Sequence, residues 1–106
     1  MAWVILFVAG LLETVWAVTL KQSEGFTKPV PTVIFFISLV LSMVLLSQAL
    51  KSLPVGTAYA IWTGIGAAGT AVLGMLFFGE SREVLKLLSL LMLVGGIVGL
   101  RLTSTQ

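Results

Sequence analysis

The sequence predicts an all-α membrane protein whose four helices cross the bilayer, and three observations lead there. Of the 106 residues, 58% are hydrophobic and 9% charged, with a mean hydropathy of +1.16, whereas soluble domains keep roughly a quarter of their residues charged. The apolar residues fall into four stretches, Ala2 to Leu20, Thr32 to Ala49, Val55 to Phe78 and Val84 to Leu102. Each is near the roughly 20 residues that a helix needs to span the hydrocarbon. The period-2 alternation and frequent turn signals of a membrane barrel are absent, so the backbone groups of each span must be satisfied within helices. Residues 1–106 therefore read as one four-helix transmembrane domain, with no room for a soluble one.

The first span has no Lys or Arg before Lys21, carries Glu13 and runs too long for the apolar core of a secretory signal, so it is expected to be a permanent helix. The connection "KQSEGFTKPVP" separates it from the second span, and "LKSLPVG" separates the second from the third. The third contains "GIGAAG", in which Gly64 and Gly66 mark a place for a bend or for close helix packing. After "GESRE", the fourth span carries Gly95 and Gly99 within "LVGGIVGL". This G-x-x-x-G spacing lets two helices approach closely and points to a dimer interface, with intramolecular packing as its alternative.

Cys, His and Asp are all absent, which excludes disulfides and leaves no donor set for a zinc or haem site. No metal or cofactor is expected. The net charge of +2 fits loop anchors at the headgroups, with no nucleic-acid surface. Four spans place Lys51 and Arg101 on one side and Lys21, Lys28, Arg82 and Lys86 on the other. The terminal amine joins the smaller set, so the positive-inside bias is weak and allows insertion in both orientations, with a single orientation that keeps the four-charge side in the cytoplasm as its alternative.

Of the four acidic residues, Glu24, Glu80 and Glu83 lie in loops or at span ends; only Glu13 is deep. At about 1.5 Å rise per residue it falls within a few Å of the bilayer centre. A lone carboxylate there costs at least about 2.5 to 3.5 kcal/mol, so it should face a bundle interior or cavity and be protonated or paired. The same counting puts Ser42 near the centre, Trp62 roughly 5 Å from it and Tyr59 one turn further out. Trp16 follows Glu13 by three positions and Tyr59 precedes Trp62 by three, so each pair shares a helix face. Indole N–H can hold a carboxylate, hydroxyls can donate or accept, and aromatic faces attract a cation. Each residue also has a plainer reading: interhelical glue for Glu13, back-bonding for Ser42 and packing for the two Trp. It is their common layer that favours a binding site made of Glu13, Trp16, Ser42, Tyr59 and Trp62.

Over its whole length the chain resembles the small multidrug resistance (SMR) transporters. The resemblance is carried by "LETVWA" with Glu13 and Trp16, "LKQSEGFTK", "KSLPVGTAYAIWTGIGA" and the glycine-bearing fourth span. Trp16 three residues after the Glu, and "WTGIGA" at Trp62 to Ala67, are similar to the guanidinium exporter (Gdx) branch more than to the polyaromatic-drug branch. The resemblance implies an antiparallel, dual-topology homodimer in a prokaryotic inner membrane that exchanges protons for guanidinium-type cations by alternating access. It implies Glu13 as the shared proton and substrate site, Ser42 and Trp62 as hydrogen-bond partners of its carboxylate, and Trp16 and Tyr59 as lining or gating groups. Thr14 stands where the branch usually has an aliphatic residue, and Lys28 where Arg is common.

The residues support the same mechanism without the name. One carboxylate that holds a proton or a cation as alternatives couples their movement if the site opens to one side at a time, and an inverted pair of identical chains supplies the needed pseudo-two-fold arrangement. The alternatives are a polyspecific quaternary ammonium exporter of the same family and a non-transporting scaffold subunit. An intramembrane hydrolase lacks its His or Asp, and its basic residues lie at span ends.

Overall fold

The structure, a computed structural model, describes residues 1–103. Four α-helices follow one another: α1 (Ala2–Gln22), α2 (Pro29–Leu50), α3 (Val55–Phe77) and α4 (Val84–Thr103). All four are long and apolar enough to cross a membrane. The second helix starts three residues before the expected Thr32 because Pro29 opens it. Proline is tolerated in the first turn, where its missing N–H would have no helical acceptor and its φ is already helical.

The third helix ends through Gly79, whose φ of +69° is left-handed and reverses the chain so that the Glu80 N–H reaches the Gly74 carbonyl at 3.1 Å. Arg82 Nη2 donates to the Met75 carbonyl at 3.1 Å. Two of the last-turn carbonyls that a helix end leaves without partners are thereby used.

Helix α1 is the hub. It packs against α2 on one side and α3 on the other, while the backbone of α4 comes close to that of α3 alone. The result is a slab of 44 × 35 × 17 Å. Its core is a cluster of Leu6, Ala9, Leu46, Ala49, Leu53, Ala58, Ile61 and Trp62. Small residues set the close approaches: a side chain at Gly10 would meet Ile65 at 2.7 Å, and one at Gly64 would meet Ile97 at 2.9 Å. None of the residues of α4 is buried. A layer this thin leaves long apolar faces outside, which a bilayer or another copy can cover but water cannot.

Charged and aromatic pairs fasten the ends. Lys21 Nζ lies 5.3 Å from the Phe78 ring centroid, and the Arg101 guanidinium 4.4 Å from that of Trp3. The Lys86–Glu80 pair at 3.0 Å bridges the loop after α3 to α4.

Candidate functional site

Glu13 leaves α1 toward α3, and its position is defined by a glycine. A Cβ built at Gly66 would overlap the Glu13 side chain from Cγ to Oε1, so the carboxylate rests directly on the α3 backbone. One turn along, Gly69 makes the same kind of seat for the Thr14 hydroxyl. That hydroxyl donates to the Gly66 carbonyl at 3.2 Å, and the same carbonyl accepts from Thr70 Oγ1 at 2.7 Å. Thr14 is thus buried and ties α1 to α3 beside the acid.

The surroundings of Glu13 form an open cleft of about 360 Å³, lined by Glu13, Ala17, Thr63, Gly66, Ala67, Thr70, Ala71 and Glu80. Among the described residues, three buried side-chain polar atoms have no hydrogen-bond partner: Glu13 Oε1, Thr63 Oγ1 and Trp16 Nε1. The first two belong to cleft-lining residues. Buried polar atoms are nearly always paired, so this cleft offers an acceptor and a hydroxyl to a ligand with N–H donors.

Ser42 and Trp62 meet, but with each other. Trp62 Nε1 donates to Ser42 Oγ at 3.0 Å, and Ser42 Oγ donates to the Ala9 carbonyl of α1 at 2.8 Å. Both side chains are buried, Ser42 completely. Ser42 therefore does not back-bond to its own helix, as Ser38 does to Ile34 and Phe35. In this structure neither Ser42 nor Trp62 hydrogen-bonds Glu13; their chain of donors ends on a backbone carbonyl one turn before the acid.

Tyr59 stacks at a tilt on Trp62, with centroids 5.6 Å apart, and is 57% exposed. Trp16 points to α2, edge-on to Phe35 at 6.1 Å. The other four predicted site residues thus form two groups, a relay of Tyr59, Trp62 and Ser42, and Trp16 against Phe35, and none of the four lines the Glu13 cleft.

Sequence reading missed Thr63, Thr70 and Glu80. The first two flank Gly66 and Ala67 at helical spacing, a small and hydroxylated stripe that could have marked the face of α3 turned to α1. Glu80 had been set aside as a loop residue. Gly64 and Gly66 were read as a bend or as packing positions; α3 runs unbroken through both, and here they admit Ile97 and Glu13. At Gly95 and Gly99 an added Cβ would meet nothing within 4 Å. No group of three or more metal-ligating side chains exists among the described residues.

The relay yields a prediction of its own. Ser42→Ala leaves the Trp62 indole N–H buried without a partner, at about 1–3 kcal/mol for an orphaned group, and takes from the Ala9 carbonyl the bond it accepts beyond its own helix. Equilibrium unfolding of the purified protein in mixed micelles should show that loss, and wild-type stability in this variant would mean the relay contributes nothing.

Residues 1–93 match the family model described as Small Multidrug Resistance protein. The chain is 60% identical over 104 residues to a protein of Proteus vulgaris named "Guanidinium exporter", covering 98% of this chain and 100% of that one. Proteins of the same name from Salmonella typhimurium and from Escherichia coli K12 are 57% and 54% identical, each over 98% of this chain and 99% of the relative.

Proposed function

The chain belongs to the small multidrug resistance family and is a multi-pass protein of a prokaryotic inner membrane; from that premise we propose that it exports guanidinium and small substituted guanidinium ions in exchange for protons, by alternating access. The observation that carries this is Glu13: the acidic residue inside a span, seated in a cleft on the α3 backbone with Oε1 unpartnered. The near full-length similarity to proteins named as guanidinium exporters supports the substrate.

Glu13 binds either a proton or the cation, and the competition couples the two fluxes. Guanidinium is planar and carries N–H donors around its edge, so it meets a carboxylate with two parallel hydrogen bonds, a geometry that a spherical ammonium cannot reproduce. The Thr63 hydroxyl is at hand in the same cleft. In the loaded state the Ser42 hydroxyl exchanges the Ala9 carbonyl for the carboxylate and brings the Trp62 indole with it, while Tyr59 and Trp16 cover the flat face of the ion. Two inverted copies form the transporter, because a slab of four helices leaves its site open on one side.

The test is proton-driven transport by the purified protein in proteoliposomes. Guanidinium and phenylguanidinium, which keeps a two-donor edge, should give robust currents. Tetramethylammonium has no donor to match the carboxylate's lone pairs, a loss of about 1–3 kcal/mol, and should be at least about tenfold poorer. Equal or larger currents with tetramethylammonium would place the chain with the polyspecific drug exporters, and no current with any cation would favour a scaffold.

A further inference from the structure

We propose that Glu80 is a second cation-recognising carboxylate of the transport path, which docks a guanidinium-type ion at the mouth of the cleft in exchange for Lys86 before the ion reaches Glu13. This inference rests on the export reading above.

Two carboxylates line the one cleft, and α3 holds both in the same way. Glu13 occupies the space where Gly66 lacks a side chain, and the Glu80 carboxylate occupies the space where Gly74 lacks one. Gly66, Thr70 and Gly74 lie four apart on one ridge of α3, so the seats are separated by two turns, about 12 Å along the helix. Between them the lining is small or hydroxylated, with Ala67, Thr70 and Ala71. An ion leaving Glu80 for Glu13 would pass no bulky group on this side.

The deep seat lacks a counter-ion and the outer one has a replaceable one. Glu13 makes no salt bridge, and its Oε1 is unpartnered. Glu80 Oε1 is 3.0 Å from Lys86 Nζ, with the Glu80 side chain 44% exposed. An exposed pair of this kind contributes little, and a guanidinium ion, less strongly hydrated than an ammonium and able to bind both carboxylate oxygens, can displace it. The end of the molecule that carries this mouth carries Lys21, Lys28, Arg82 and Lys86 against Glu24, Glu80 and Glu83, with Lys28 paired to Glu24 at 3.7 Å, so its field is only weakly positive. Lys21 is turned onto Phe78 and Arg82 onto the Met75 carbonyl, leaving Glu80 as the carboxylate at the mouth of the cleft.

The loop does not need the carboxylate for its shape. Its closure runs through backbone bonds from Phe78 and Glu80 to the Gly74 carbonyl, at 3.0 and 3.1 Å, and through Gly79. Glu80→Gln keeps the size and the backbone and removes only the charge.

The experiment measures initial rates of pH-gradient-driven guanidinium uptake into proteoliposomes against guanidinium concentration, at low and at physiological ionic strength. It compares wild type with Glu80→Gln and Lys86→Met. Glu80→Gln is expected to raise the half-saturating concentration about threefold or more at low salt, with the saturating rate within about twofold of wild type, and the gap should narrow as salt screens the mouth. Lys86→Met uncovers Glu80 and should move the half-saturating concentration in the opposite direction. If both variants move it the same way, the pair only fastens the loop to α4, and the inference is overturned. An unchanged Glu80→Gln curve overturns it as well, while wild-type transport leaves the export reading intact. A wild type that moves no guanidinium would overturn both.

Discussion

Glu13→Gln is expected to abolish proton-driven guanidinium transport completely while leaving the protein folded. Gln has no proton to exchange in the working pH range and no charge to offer, so coupling is lost whatever binding remains. Each hydrogen bond from the cation to a charged partner is worth about 1.5–3 kcal/mol, and losing the charged character of two of them weakens binding by two orders of magnitude or more. Stability points the other way. The replacement has the same length and keeps the Gly66 seat, and Oε1 gives up no hydrogen bond because it has none. A neutral amide is also less costly than a carboxylate to bury in hydrocarbon. Currents from proteoliposomes, read beside thermal unfolding in detergent, separate the two effects. A transporting Glu13→Gln variant would remove Glu13 as the carrier and turn attention to Glu80; a variant that fails to fold would mean that the carboxylate is interhelical glue.

The four spans were legible in the sequence because hydrocarbon imposes a length and a composition on any crossing helix. Where an end was misplaced, a local rule had been read too strictly. Pro29 and Pro31 looked like a boundary, yet a proline in the first turn costs a helix nothing, and α2 begins there. Glu13 was legible because a charge near the bilayer centre is conspicuous on cost alone. Its neighbours were not, because depth along a span says nothing about rotation about the helix axis. Ser42 and Trp62 were expected to hold the carboxylate and in this structure bond each other and the Ala9 carbonyl, a backbone group that leaves no mark in the sequence. Glu80 was hidden by its place in a loop, since only the Gly79 reversal and the gap at Gly74 bring it back to the cleft.

Gly99→Leu is expected to separate the proposed dimer into folded, inactive protomers. Within one chain nothing opposes the substitution. A Cβ at Gly95, Gly96 or Gly99 meets no atom within 4 Å, the backbone of α4 comes close to that of α3 alone, and leucine is a better helix former than glycine by about 0.5–1 kcal/mol. Any damage must therefore come from a second molecule that approaches this face as closely as a G-x-x-x-G surface allows. Gly64→Leu provides the contrast, because its Cβ would meet Ile97 2.9 Å away within the same chain, so that variant should lose protomer stability first. Light scattering of the detergent-solubilised protein would report the mass, circular dichroism the helices and proteoliposome currents the activity. If the copies are inverted, a cysteine replacing Leu102 should react with an impermeant reagent from both sides of sealed vesicles in an otherwise wild-type chain, as the weak bias of two Lys or Arg against four allows. A Gly99→Leu protein that stays dimeric would take α4 out of the interface, and labelling from one side alone would exclude the inverted pair. A loss of mass with both-sided labelling would instead explain why α4 buries none of its residues in the protomer: that face of the helix belongs to the contact with the second copy.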